Sequence, residues 1–257
     1  MSDLVTSADG VLTVSVSTPN NGTALDDDAV DEAVLALTDL AAGKRDERVI
    51  LLRGTGKNFC AGGNVGSFAS APDRPAFLAQ LADQLHRMIG LLDSCGRPVV
   101  VAAKGWAAGA GMSLTLHGDV VVGGPSTKMR PAYRGIGLSP DGGLTWTLPR
   151  AVGPARARAI ILTDKVIGAD EALALGLLSE IVDDEQVDTR ARELAVELAA
   201  GPAATLEATA ALLRGSADTT LVDQMAAESA SIARLGGDPD GIEGVDAFVA
   251  KRKPVWP

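Results

Sequence analysis

RPVVVAAKGWAAGAGMSLTLHGD, Arg97–Asp119, is the stretch on which the reading of this chain turns. Pro98 opens a run of small and β-branched residues, Val99-Val100-Val101-Ala102-Ala103, which predicts a buried strand. Gly105, Gly109 and Gly111 follow, separated by Trp106, Ala107, Ala108 and Ala110, and then a short helical segment, Met112–Leu116. A strand that feeds a Gly/Ala turn and then a helix leaves the first N–H groups of that helix unpaired, and the helix dipole adds positive potential there. Such a turn suits negative charge, whether resident or developing during a reaction. Gly and Ala at these positions equally suit tight packing of a helix on a sheet.

Upstream of this stretch, Val49–Leu52 reads as a second buried strand running into another Gly-rich loop, Gly54 to Asn64. Between the two strands Pro75–Leu92 has the spacing of a long amphipathic helix, with Leu78, Leu81, Leu85 and Met88 as an apolar wall. Leu4–Thr6 and Val11–Val16 flank Ala8-Asp9-Gly10 and predict an antiparallel hairpin. Asp26–Ala42 predicts a helix, with acidic residues in its first turn and Gly43 just past its end.

Downstream, Asp119–Val122 is a short apolar strand, Gly135–Gly143 (GIGLSPDGG) a loop, and Leu144–Leu148 and Pro154–Leu162 are helical. Beyond Ala169 the pattern is helical apart from Glu180-Ile181-Val182, with helices over Gln186–Ala200, Pro202–Leu213, Leu221–Leu235 and Gly241–Lys251. Strands alternating with helices predict parallel α/β packing. The simplest organisation is a core over residues 1–200 with a helical region over 201–257.

Of the 257 residues, 46% are hydrophobic and 22% charged, a globular composition, and with 3% aromatics the core must be built from Ala, Val and Leu. No apolar run reaches the roughly 18 residues that cross a bilayer. The N-terminus has no basic region followed by an apolar one, as a secretory signal would. Cys60 and Cys95 form no disulfide framework, so a reducing cytoplasm is expected. A net charge of −10 argues against a nucleic-acid partner. An anionic ligand must therefore be held by N–H groups and a few basic side chains.

Neither Gly-rich loop has a nucleotide-binding fingerprint: Thr55-Gly56-Lys57 lacks the P-loop spacing, and Gly109-Ala110-Gly111 lacks the third glycine of a dinucleotide site. His86 and His117 are too few and too isolated for a metal site. Ser113 and His117 share a helix face, with Asp119 beyond, so a Ser113 hydrolase is a candidate. No G-x-S-x-G elbow surrounds that serine, and residues stacked along one helix rarely align as a triad.

Several motifs then fall in register. FCAGGN (Phe59–Asn64), GWAAGAG (Gly105–Gly111), Asp119, GIGLSPDGG (Gly135–Gly143), LPRAVGPARA (Leu148–Ala157) and ADEALALGLLSEIV (Ala169–Val182) together resemble the enoyl-CoA hydratase/isomerase (crotonase) superfamily. Within it, the PDGG loop is similar to that of enoyl-CoA isomerases and ring-epoxide isomerases. The resemblance implies an α/β fold, a crotonase-like spiral of ββα repeats with a C-terminal helical layer that trimerises. It implies a homotrimer or dimer of trimers, an acyl-CoA substrate, no cofactor beyond the coenzyme A of that substrate, and neither membrane nor nucleic acid as partner.

It also implies an oxyanion hole of two backbone N–H groups, matched to Ala61 and Ala110. Ala110 stands where relatives more often have Gly, and Asn64 where they usually have Asp. The two glutamates with which the family's hydratases place a water are missing, since their positions fall on Ser113 and on Ala132 or Tyr133. Asp141 is the available carboxylate, and one base suffices to move a double bond from carbon 3 to carbon 2 of an enoyl thioester. Gly62, Gly109, Gly111, Ser113, Tyr133 and Trp106 are expected around the substrate. Lys57, Gly63, Val65 and Lys251 are expected at coenzyme A, with Arg74, Arg252 and Lys253 as further cations. A hydratase-like member of weak or different activity, a silent acyl-CoA-binding protein and the Ser113 hydrolase are the rival readings.

Overall fold

The hairpin at the start of the chain sets the edge of the main sheet. The structure, a computed structural model, describes residues 3–256. Strands β1 (Val5–Ala8) and β2 (Val11–Ser17) pair antiparallel with Ala8 opposite Val11. The two residues between them, Asp9 (φ 53°) and Gly10 (φ 72°), take the left-handed pair of conformations that a tight hairpin turn needs. Helix α1 (Asp27–Ala41), capped by the Asp26 carboxylate on the Ala29 N–H, leads to β3 (Val49–Gly54). Helices α2 (Val65–Ser70) and α3 (Arg74–Ser94) lead to β4 (Val99–Ala103). Strand β5 (Trp106–Ala108) and helix α4 (Ala110–Thr115) lead to β6 (Val120–Gly123). Then follow β7 (Lys128–Arg130), α5 (Leu144–Val152), α6 (Pro154–Thr163), β8 (Ile167–Gly168), α7 (Ala169–Ala174) and β9 (Glu180–Ile181). Helices α8 (Val187–Ala199), α9 (Ala203–Gly215), α10 (Leu221–Leu235) and α11 (Pro239–Val249) complete the chain.

The main sheet has the order β1-β2-β3-β4-β6-β9 and is parallel from β2 onward. Its central strands read as apolar runs, Val49–Leu52 in β3, all of β4 and Val120–Val122 in β6, because both faces are covered. Ile50 and Leu52 of β3, with Val99, Val101 and Ala103 of β4, join the cluster that includes Leu37 of α1 and Met88 of α3. The alternate residues Val49, Leu51, Val100 and Ala102 meet Val187, Ala191, Ala195 and Ala199, one per turn along α8. Alanine at three of those four contact points lets the helix approach the sheet closely. The same cover buries the polar half of the β2 alternation: Ser15 and Ser17 are buried, and the Ser17 hydroxyl donates to the Phe59 carbonyl at 2.6 Å.

A second, three-stranded sheet, β5-β7-β8, has no counterpart in the sequence reading, nor does α2. Strands of two or three residues carry no measurable periodicity. Cys60 forms an isolated bridge with Ala107, which lays the 59–64 loop along β5. Here the Gly-rich turn divides residue by residue between close packing and a cavity. A Cβ on Gly105 would strike the Lys57 carbonyl and one on Gly111 the Cys60 carbonyl, so those glycines serve close backbone packing. Gly109 and Ala110 instead border open space. Among the described residues no single helix is long and apolar enough to cross a membrane.

Candidate active site

A cavity of about 400 Å³ lies where the two Gly-rich stretches meet. Residues 61–65, Gly109 and Ala110 form one side, and Leu78, Leu81 and Leu85, at helical spacing on α3, form the expected apolar wall. Met88, the fourth residue of that predicted wall, lies wholly in the core. Tyr133 and Asp141 close a further side.

The N–H of Ala110 opens α4 and has no acceptor among the described residues, whereas Gly109 N–H donates to the Arg130 carbonyl at 3.0 Å. With six residues α4 is too short for a large dipole, so what it offers is that individual N–H. Ala61 is a correction to the sequence reading. It borders the cavity, but its N–H donates to the Thr23 carbonyl at 2.8 Å and is spent. The carbonyl of Gly62 accepts from Leu25 N–H at 2.7 Å, on that same side. Across a trans peptide the Gly63 N–H points the opposite way. That is also the direction of the Cys60 carbonyl, which accepts from Ala108 N–H at 2.9 Å just before Gly109 and Ala110. Gly63 borders the cavity and its N–H has no acceptor among the described residues. Of these two N–H groups, that of Gly63 rather than that of Ala61 is free at the cavity.

Asp141 is held from several directions. The Tyr133 hydroxyl donates to its Oδ1 at 2.6 Å, and the Ser113 hydroxyl donates to its carbonyl at 3.0 Å. Ser113 lies one turn beyond Ala110 on α4, so its bond to the Asp141 carbonyl ties the Asp141 loop to the helix that Ala110 opens. The next residue, Gly142 (φ 59°), is held between two imidazoles: its N–H donates to His86 Nε2 at 3.0 Å and its carbonyl accepts from His117 Nε2 at 3.1 Å. These partners fix the tautomers, with the proton on Nδ1 of His86 and on Nε2 of His117. Burial pushes the His117 pKa down, against the opposing bond to Gly142, and keeps the ring neutral. Histidines that look isolated in the sequence thus converge on one residue of the Asp141 loop, holding the peptide units on either side of it.

Tyr133 is buried, and burial followed by the charge of Asp141 raises its pKa well above the usual phenol range, so it stays a donor. Its backbone position is set by a strained neighbour. Ala132 has φ 61° and donates its N–H to Asp164 Oδ1 at 2.7 Å, while Asp164 Oδ2 accepts from Arg130 Nη2 at 2.7 Å. Neither His86 nor Asp164 lies in a motif that singled it out; only the folded contacts expose them.

Several other expected residues have different places. Ser113 is fully buried and does not border the cavity; with His117 bound to Gly142, it has no imidazole to activate it, and the hydrolase reading falls. Asp119 accepts from Val99 N–H at 2.7 Å and from Arg214 at 3.1 Å. Gly111 packs on Cys60, and Trp106 stands in β5 with Lys128 Nζ 5.5 Å from its ring centre; neither borders the cavity. Lys57 and Lys251 are exposed and also lie outside the lining, whereas Gly62, Gly63 and Val65 are part of it. Asn64 caps α2 by accepting from Gly66 and Ser67 N–H, which supplies the role its sequence position left open. Arg74 bonds the Phe68 and Ala69 carbonyls, and Arg252 pairs with Glu243.

Gly63 and Ala110, whose N–H groups have no acceptor among the described residues, and Asp141 thus border one cavity next to a parallel sheet. The chain belongs to the enoyl-CoA hydratase/isomerase family, whose profile matches residues 6–257. It is similar to the probable enoyl-CoA hydratase of Rhodobacter capsulatus, 37% identical over 84% of this chain and 83% of that one. It is also similar to the 1,2-epoxyphenylacetyl-CoA isomerase of Escherichia coli, 34% identical over 96% and 95% of the two chains. The crystal structure of a chain described as an enoyl-CoA hydratase/isomerase from Mycobacterium abscessus superposes with a TM-score of 0.91 at 34% identity, covering 98% of this chain and 99% of that one. The fold is the crotonase fold, and the protein is an enzyme of a family that acts on acyl-CoA thioesters.

Proposed function

We propose that the enzyme moves the double bond of a 3-enoyl-CoA to carbon 2, with Asp141 as the single acid/base and the N–H groups of Gly63 and Ala110 as the oxyanion hole. The observation that carries this reading is the Tyr133–Asp141 pair. One carboxylate beside Ala110 faces the cavity, and the positions that hold the hydratases' two glutamates carry Ser113, bound to the Asp141 carbonyl, and Ala132 or Tyr133. Asp141 Oδ1 is occupied by the phenol, which leaves Oδ2 to carry the proton.

In the reaction Asp141 takes a proton from carbon 2, and the electron pair shifts into a dienolate whose oxygen meets the two N–H groups. The same carboxyl returns the proton to carbon 4, and the double bond ends between carbons 2 and 3. One oxyanion donor is typically worth roughly 3 kcal/mol in such a step. The 3-to-2 shift is read by the absorbance of the conjugated thioester at unchanged mass. In deuterated water, those turnovers in which the Asp141 carboxyl exchanges with solvent before returning its proton should place deuterium at carbon 4, located by NMR. Gain of one water by the substrate would replace isomerisation with hydration, and an unchanged ester would leave only binding.

Tyr133→Phe removes the donor that fixes Asp141 without removing the base. We expect kcat to fall by roughly 10- to 100-fold with KM nearly unchanged, because misplacing a reacting group costs rate more than affinity. Steady-state kinetics check this; an unchanged kcat would make the pair ornamental.

On the same reading, Lys57 meets the coenzyme A phosphates, which stay outside the cavity. Leu221 and Val222 of α10 and Phe248 and Val249 of α11 are more than two-thirds exposed, and covering them by copies of the chain gives the proposed trimer. A cytoplasmic location suits the free thiols: burial pushes Cys60 up to about 12, and Cys95 is unpaired.

A further inference from the structure

We propose that the acyl group taken by this cavity is uncharged and apolar, and that esters bearing a second carboxylate at the far end of the chain are rejected. The inference rests on the cavity being the acyl-CoA site but not on the isomerase reading. Among the described residues that line the cavity, the only charged side chains are the carboxylates of Asp27 and Asp141. No Lys, Arg or His takes part in the lining. The Tyr133 hydroxyl already gives its proton to Asp141, and the other polar side chains of the lining, Asn64, Ser67, Gln84 and Ser139, are uncharged.

A carboxylate carried in by the substrate would shed its water in a cavity whose only charged groups share its sign, and would find no cation to pair with. Asp27 shows what the wall does to negative charge: partial burial first, and then Asp26, Asp31 and Asp28, raise its pKa. By contrast Leu78, Leu81 and Leu85 share one face of α3, and Phe68, Ile136 and Leu138 add further apolar surface to the lining. Each methylene laid against such a wall is worth roughly a fourfold gain in affinity. The electrostatics therefore select against the second carboxylate while the hydrophobic wall selects for alkyl or aryl bulk.

The test is isothermal titration of the wild-type protein with free coenzyme A, hexanoyl-CoA, adipoyl-CoA and the methyl ester of adipoyl-CoA. None of these has a double bond, so binding is read whether or not the enzyme isomerises anything. Hexanoyl-CoA should bind at least about tenfold tighter than coenzyme A, and adipoyl-CoA at least roughly 30-fold more weakly than hexanoyl-CoA. The methyl ester, which keeps the length but not the charge, should recover most of that loss. Adipoyl-CoA binding as tightly as hexanoyl-CoA overturns the proposal. So does a methyl ester as weak as adipoyl-CoA, since size would then be the cause. Hexanoyl-CoA no tighter than coenzyme A also overturns it, because the wall would then not be an acyl site. Absence of the conjugated product with this binding pattern intact would remove the isomerase reading alone.

Discussion

Asp141→Asn should abolish isomerisation of a 3-enoyl-CoA, lowering kcat by roughly 10³-fold or more, while leaving the affinity for a saturated acyl-CoA within a few-fold of wild type. The amide has the shape of the carboxylate, and its oxygen still accepts the Tyr133 proton. The main-chain bonds from Ser113 to residue 141 and from His86 and His117 to Gly142 do not involve the exchanged atom. The loop therefore stays in place, and what is lost is a group able to take and return a proton. Kinetics on the unsaturated ester and calorimetry on the saturated one separate the two effects. A variant retaining a tenth of the wild-type rate would make Asp141 a loop residue and leave the enzyme without its base.

The second large effect is expected from Ala110→Pro. Position 110 is the first residue of α4, where proline is tolerated because no helical partner awaits that N–H. The preceding residue is Gly109, which has no Cβ to clash with the proline ring. The fold should survive with a stability change of about 1 kcal/mol or less. The donor, however, is gone, and the ring stands where the thioester oxygen would sit. A loss of roughly 10²- to 10³-fold in kcat/KM is expected, measured with a thermal melt on the same sample. Ala110→Gly keeps the N–H and should stay within a few-fold of wild type. A proline variant with near-normal rate would dismiss this amide as an oxyanion donor.

The large features of the molecule were legible because they follow from burial. β3 and β4 are continuous apolar runs since both faces of the sheet are covered, and α3 shows its Leu78, Leu81, Leu85 stripe at helical spacing. Motif resemblance supplied Asp141 and Ala110, both of which border the cavity. The Ala61 assignment failed for a local reason: resemblance places a loop but does not tell which of its successive N–H groups pairs with Thr23 and which turns the other way. Trp106 and Gly111 failed because a Gly-rich motif serves packing and the cavity at once, and sequence does not divide the residues between them. His86, 56 residues from Gly142 along the chain, and Asp164, 32 from Ala132, act through contacts that no spacing rule anticipates.

The cover that α8 gives the sheet has a consequence for how the chain is made. β2 lies near the N-terminus, and the helix that seals its second face begins only at Val187. While the ribosome is still short of that point, Val11, Val49, Leu51 and Val100 present a bare apolar surface. Native contacts of such long sequence separation form slowly, and a nascent chain in this state is open to aggregation. Until α8 has been synthesised, the growing polypeptide has no helix of its own to lay over that face.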